Sequence, residues 1–134
     1  MTLGAPPWTE GGDVTALALL PDTQHHVDRV EVEINGQPTK LLLDTGASLS
    51  ALPAPVAAAL GLPERTFKGS LNSAAGSSVI DSVVEGRLRI GSIDLGPIAF
   101  ARLPSGGKQA LLGLDILSRF DFQVIPGQRL RISP

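Results

Sequence analysis

From Val27 onward the chain alternates apolar and polar residues, with Val30, Val32 and Ile34 interleaved with Glu31 and Glu33. A two-residue period predicts a half-buried strand with the two glutamates on its wet face. Asn35-Gly36 follows, the dipeptide that most strongly signals a two-residue hairpin turn. Thr39–Leu43 returns as the partner strand, and its Leu41-Leu42-Leu43 run predicts burial on both faces. It stops abruptly at Asp44-Thr45-Gly46-Ala47-Ser48.

Around this hairpin the pattern predicts short strands and little helix. Val14–Leu20 reads as a first strand and Pro21–Gln24 as a turn. Pro53–Leu60 reads as a short helix with Gly61 just past its end, where a left-handed residue is common. Phe67–Asn72 and Val79–Val84 read as strands flanking the small-residue tip Ser73–Ser78. Arg87–Ile90 and Ile93–Leu95 form a hairpin across Gly91-Ser92, and Ile98–Leu103 is a further strand. Pro104–Gln109 is a loop, Ala110–Leu112 a short buried strand and Asp115–Arg119 a turn or two of helix. Phe122–Ile125 and Leu130–Ile132 close the chain as a hairpin around Pro126-Gly127. The expectation is about nine strands in one mostly β domain over residues 27–134, preceded by a lead-in over 1–26. The lone tryptophan, Trp8, belongs to that lead-in and is read as surface packing.

Composition narrows the function classes. A chain of 134 residues with 43% hydrophobic and 18% charged residues suits one globular core. A formal net charge of −2 offers no basic field for nucleic acid and no cationic face for a membrane. No apolar run approaches the roughly 20 residues of a spanning helix. The opening MTLGAPPWTEGGD has no positive charge before an apolar stretch, so no signal peptide is read there. The absence of cysteine removes disulfides, thiol nucleophiles and thiolate-bound zinc.

The chemistry concentrates after Leu43. A carboxylate following a triple-leucine strand is costly to bury unless it is hydrogen-bonded, paired or neutral. Gly46 permits a tight approach of its amide, Ser48 offers a hydroxyl to the carboxylate, and the Thr45 hydroxyl is available elsewhere. Such a carboxylate can accept a proton but has none to give, so hydrolysis of a peptide requires a second group. Two close carboxylates sharing one proton meet that need. From the residues alone, the second carboxylate comes from Asp115 or from another subunit.

Leu42-Leu43-Asp44-Thr45-Gly46-Ala47-Ser48 resembles the active-site motif of the retropepsin-like aspartic proteases, an apolar pair before Asp-Thr/Ser-Gly-Ala. Ala110-Leu111-Leu112-Gly113-Leu114-Asp115-Ile116-Leu117 resembles the second segment of that family, about 65 residues downstream. The resemblance runs from Val27 to Ile132 and extends to the bacterial single-domain branch and the protease domain of eukaryotic ubiquitin-shuttle proteins. It implies a closed or partly open β-barrel with one short C-terminal helix, active as a two-fold homodimer on extended polypeptide, with no cofactor or metal.

By the same resemblance, Asp44 is the catalytic aspartate, acting with Asp44 of a second copy, and Thr45, Gly46, Ala47 and Ser48 support it. Ser73, Ala74, Ala75, Gly76, Ser77 and Val79 form a flap over the substrate. Leu112, Gly113 and Asp115 are structural, with Leu112-Gly113 packed on the active-site loop and Asp115 a helix-start residue. The chain departs from retroviral members at Leu114, where they often carry a dimer-anchoring arginine, and at a flap tip without an aromatic residue. It also lacks their long apolar carboxyl-terminal tail.

Other site chemistries find less support in the residues. His25-His26 lacks a third metal ligand at useful spacing. Ser48, Ser50 and Ser105 lack a partnered histidine. Gly11-Gly12 and Gly106-Gly107 lack the context of a phosphate loop. Two alternatives to a dimeric peptidase remain: a catalytically silent peptide- or partner-binding module on the same fold, and a self-processing domain that trims its own first 25 residues.

Overall fold

In a computed structural model, the structure describes residues 15–22, 27–73, 76–104 and 109–133, and of residues 15, 22, 67–73, 76–79 and 81 the backbone alone. Trp8, His25, His26, Ala74, Ala75 and the centre of the 104–109 loop lie outside this description. Among the described residues there are eleven strands and two short helices. In order these are β1 (Thr15–Ala18), β2 (Leu20–Asp22), β3 (Val27–Ile34), β4 (Gln37–Leu43), β5 (Ala51–Pro53) and α1 (Ala54–Ala59). They continue with β6 (Glu64–Ser73), β7 (Gly76–Ile90), β8 (Ile93–Leu103), β9 (Leu111–Leu112), α2 (Leu114–Leu117), β10 (Asp121–Ile125) and β11 (Arg129–Ser133).

The β3–β4 hairpin forms where the alternation predicts it. Asn35 and Gly36 both take left-handed backbone, φ 51° and 78°, the requirement of the tight turn. The turn is anchored to β7 as well, because Asn35 Oδ1 accepts from the Arg87 amide at 2.8 Å. Glu31 and Glu33 are exposed while Val30, Val32 and Ile34 are buried.

Strands β2-β3-β4-β9-β5-β8-β7-β6 form an eight-stranded sheet, in which β3 also pairs with β7 through Glu33–Arg89 and Ile34–Leu88. Strands β1-β11-β10 form a second sheet of three. A large apolar cluster centred on Phe100, Ile34, Leu41 and Ile116 fills the interior, and a smaller one joins Ala47, Ala51, Ile80 and Ala101. Leu43 packs on the first cluster and Leu42 on the second, so the strand entering the Asp44 loop is gripped from both faces. Full burial of side chains of this size contributes roughly 1.5–3 kcal/mol each.

Several expectations are corrected. The segments read as separate strands at 79–84 and 87–90 are one strand, β7, and those at 93–95 and 98–103 are one strand, β8. Gly86, in the gap left between the first two segments, serves a close crossing: a Cβ there would lie 2.7 Å from Ile34 Cγ2. Pro97 sits beyond the stretch of β8 that pairs with β5, so it removes no ladder bond on that side. Pro21 is likewise strand, not turn, and is tolerated because β2 is the sheet edge. The single strand expected over 14–20 divides at buried Leu19, sending β1 to β11 and β2 to β3. Both helices form where they are expected, the Pro53–Leu60 segment as α1 and the short C-terminal helix as α2.

Candidate active site

Asp44 follows β4, whose last residues run parallel to β9 in the pairs Leu42–Leu111 and Leu43–Leu112. That ladder continues one step into the loop, where the Asp44 amide donates to Leu112 O at 3.1 Å. The loop then closes on itself. The Ala47 amide donates to Asp44 O at 3.1 Å, and the Gly46 amide donates to Asp44 Oδ1 at 2.9 Å. Asp44 is 9% exposed and Ala47 is fully buried, while Thr45, Gly46 and Ser48 are exposed. A cavity of about 350 Å³ opens on this loop, lined by Val27, Asp28, Leu42, Leu43, Asp44, Thr45 and Val124.

The second segment lies directly against the first. The Leu114 amide donates to Ala47 O at 2.9 Å, and Gly113 is packed so closely that a Cβ would meet Ala47 O and Leu49 O at 2.9 Å. Ser50 is fully buried between them. Its amide and its hydroxyl both donate to Asp115 Oδ1 at 2.8 Å, and its hydroxyl accepts from the Gly113 amide at 2.9 Å. Asp115 is therefore not a helix cap, as its position in the first turn of α2 suggests. Gly113 is the N-cap, no side chain caps the helix, and the Asp115 carboxylate turns to Ser50 instead.

This arrangement, a buried carboxylate in an Asp-Thr-Gly loop braced by a Leu-Gly-Leu-Asp junction, coincides with the region matched by a known family. Residues 30–119 match the family described as "gag-polyprotein putative aspartyl protease". The chain belongs to the retropepsin-like aspartic protease family. Its fold is similar to that of a retropepsin-like aspartic protease from Rickettsia conorii, with a TM-score of 0.67 at 18% identity, covering 91% of this chain and 93% of that one. By sequence it is 30% identical over 102 residues, 74% of this chain, to DNA damage-inducible protein 1 of Chaetomium globosum. It is 33% identical over 94 residues, 68% of this chain, to the UBA domain-containing protein Mud1 of Schizosaccharomyces pombe. The chain spans 23% and 28% of the length of these two relatives.

In this retropepsin-like chain Asp44, Thr45, Gly46, Ala47, Ser48, Leu112, Gly113 and Asp115 come together at one junction. The hairpin read as a flap is β6–β7, with Ser73 opposite Gly76, Ser77 opposite Asn72 and Val79 opposite Ser70. Ala74 and Ala75, its tip, lie outside the described residues. Ile80, opposite Gly69 partway along the hairpin, shares the smaller apolar cluster with Ala47 and Ala51. Among the described residues no group of three or more His, Cys, Asp or Glu is placed to hold a metal, and no helix is long and apolar enough to cross a membrane.

Two residues of the site escaped the reading of the sequence. From the sequence, Ser50 reads only as a nucleophile without a partnered histidine. Its signal lies in its flanks: Ser50 sits between Leu49 and Ala51-Leu52, Asp115 between Leu114 and Ile116-Leu117, and buried polar groups require partners. Asp28 shares the cavity with Asp44, and its Oδ2 accepts from the Gly127 amide at 3.1 Å. Nothing local marked it. A larger depression of about 520 Å³ lies between the β3–β4 hairpin and α1, where Lys40 and Leu60 line it, and none of the expected site residues reaches it.

Proposed function

We propose that this chain is an aspartic endopeptidase that works as a two-fold homodimer, hydrolysing peptide bonds between Asp44 of one copy and Asp44 of the other. The observation that carries the reading is the state of Asp44. The residue is 9% exposed, its carboxylate accepts from the Gly46 amide at 2.9 Å, and it lines a cavity with largely apolar walls. A carboxylate in that state accepts a proton and needs an acid beside it. Asp115 is engaged with Ser50, and Asp28 with Gly127, which favours a second copy as the source of that acid.

Two such carboxylates within hydrogen-bond range share a single proton, because both cannot ionise so close together. One takes a proton from water as the water oxygen bonds to the peptide carbonyl carbon. The other gives its proton to the carbonyl oxygen. The tetrahedral diol then breaks its carbon–nitrogen bond as a proton passes to the nitrogen, and the shared proton is restored without a covalent enzyme intermediate.

The remaining features fit this reading. The β3–β7 pairing supports a sheet curled into a partly open barrel. The β6–β7 hairpin supports a flap formed by Ser73, Ala74, Ala75, Gly76, Ser77 and Val79, beneath which a polypeptide lies extended with alternate side chains in pockets. Leu42, Leu43, Val27 and Val124 favour apolar side chains. Thr45 is exposed, as a residue that bridges to the second copy must be.

A second reading, a catalytically silent peptide- or partner-binding module, is favoured by one feature. Leu114 is 38% exposed where retroviral members often place an ion-pairing arginine. Hydrolysis of an unstructured peptide at mildly acid pH, for the wild type and Asp44→Asn, decides between them. Cleavage by the wild type and its loss in a still-dimeric Asp44→Asn is expected. Cleavage surviving in Asp44→Asn overturns the catalytic assignment, and peptide binding without cleavage by the wild type supports the module.

A further inference from the structure

We propose that Ser50 and Asp115 are positioning residues for Asp44, joined in a side-chain latch that clamps the 44–50 loop onto the junction before α2. The proposal rests on the protease reading for its catalytic consequence and on geometry for the latch itself.

The latch joins residues 65 positions apart. Asp115 Oδ1 receives both the amide and the hydroxyl of Ser50, and the same hydroxyl receives the Gly113 amide. Three residues are thus tied through one buried hydroxyl, and Ser50 O extends the tie to β5–β8 by accepting from the Ala101 amide at 3.0 Å. The bonds from the Asp44 amide to Leu112 O and from the Leu114 amide to Ala47 O, which also join the two segments, are backbone bonds that depend little on side-chain identity. Ser50 and Asp115 add a side-chain contribution to the clamp.

The conformation of Asp115 argues that the latch has a specific purpose. An aspartate at the start of a helix ordinarily favours the free amides of its own first turn. Here α2 has no side-chain cap, and the carboxylate is directed instead at the loop that carries Asp44. A charged acceptor with two donors makes stronger and more directional bonds than a neutral one. The consequence is a loop whose far end is fixed six residues beyond Asp44, while its near end is fixed by β9. A carboxylate that must share a proton with its mate needs its orientation set to a fraction of an ångström, and small misplacements cost up to about a hundredfold in rate.

The latch therefore acts on turnover and not on substrate binding. Steady-state hydrolysis of a peptide by Asp115→Ala and Ser50→Ala, corrected for the folded, dimeric fraction, should show kcat lowered about 10- to 100-fold with KM within about twofold of wild type. Asp115→Asn keeps an acceptor oxygen for both Ser50 donors and should recover most of kcat, as should Ser50→Thr. Amide hydrogen exchange at Gly46 and Ala47, measured in the same proteins, should quicken in the Ala variants and return toward wild type in the conservative ones. Equal kcat per folded dimer in Asp115→Ala and wild type overturns the proposal, as does Asp115→Asn as inactive as Asp115→Ala. If the wild type cleaves nothing, the protease reading fails separately, and unchanged exchange at Gly46 and Ala47 in both Ala variants then overturns the latch.

Discussion

Gly113 lies against Ala47 with no room for a side chain: a Cβ would stand 2.9 Å from the Ala47 carbonyl oxygen, with the Leu49 carbonyl at the same distance. Both neighbours are backbone, and the Ala47 carbonyl is already bonded to the Leu114 amide, so neither can rotate away. Gly113→Ala must push the Asp44 loop off the β9–α2 junction. The expected cost is about 1–3 kcal/mol of stability, the usual scale of overpacking, together with a loss of hydrolysis larger than the loss of folded protein. Chemical denaturation and peptide hydrolysis on one preparation measure the two.

A site assembled from two copies makes specific activity depend on concentration. Below the dimer dissociation constant the rate per chain should fall in proportion to chain concentration, and above it the rate should plateau. Sedimentation across the same range locates the dimer transition. A rate per chain that stays constant through that transition contradicts the shared dyad.

Ser82 offers a test of the interior. It is 5% exposed, and its hydroxyl has no hydrogen-bond partner among the described residues. A buried hydroxyl without a partner opposes folding, so Ser82→Ala should leave stability unchanged or raise it by about 0.5–2 kcal/mol. A thermal midpoint lowered by several degrees would mean that the hydroxyl has a partner after all.

Asp94 gives a pH dependence whose sign can be worked out. Its hydrogen bond to the Arg87 guanidinium at 2.7 Å, with a further bond from the Gly96 amide, holds its carboxyl below the ordinary value of 3.8. A group whose value is lower in the folded state stabilises the fold above its unfolded value. That contribution is complete above pH 3.8 and is lost as pH falls through the lower folded value. Both partners are exposed, so the effect is small. Asp94→Asn should flatten this part of the stability profile in the acid range and leave neutral stability slightly reduced, as read by denaturant midpoints from pH 2 to pH 7.

Much of the architecture was legible without coordinates where one short segment carried the whole signal. Alternation over Val30–Ile34 with Asn35-Gly36 specified a hairpin, because burial of one face and left-handed turn geometry are both local requirements. The turn expected at Pro21 and the gaps left at Gly86 and Pro97 are continuous strand, since whether such residues end a strand depends on which neighbour lies alongside.

Alone, the order of residues determined the mostly β character, the hairpin ahead of Asp44 and the pair of motifs that mark the family, all properties of segments a few residues long. Only tertiary structure decided that Asp115 serves Ser50 and not its own helix, and that Asp28 shares a cavity with Asp44. Those relationships join positions far apart in the chain, and hydrogen bonds of 2.8 Å form only after packing has brought the partners together.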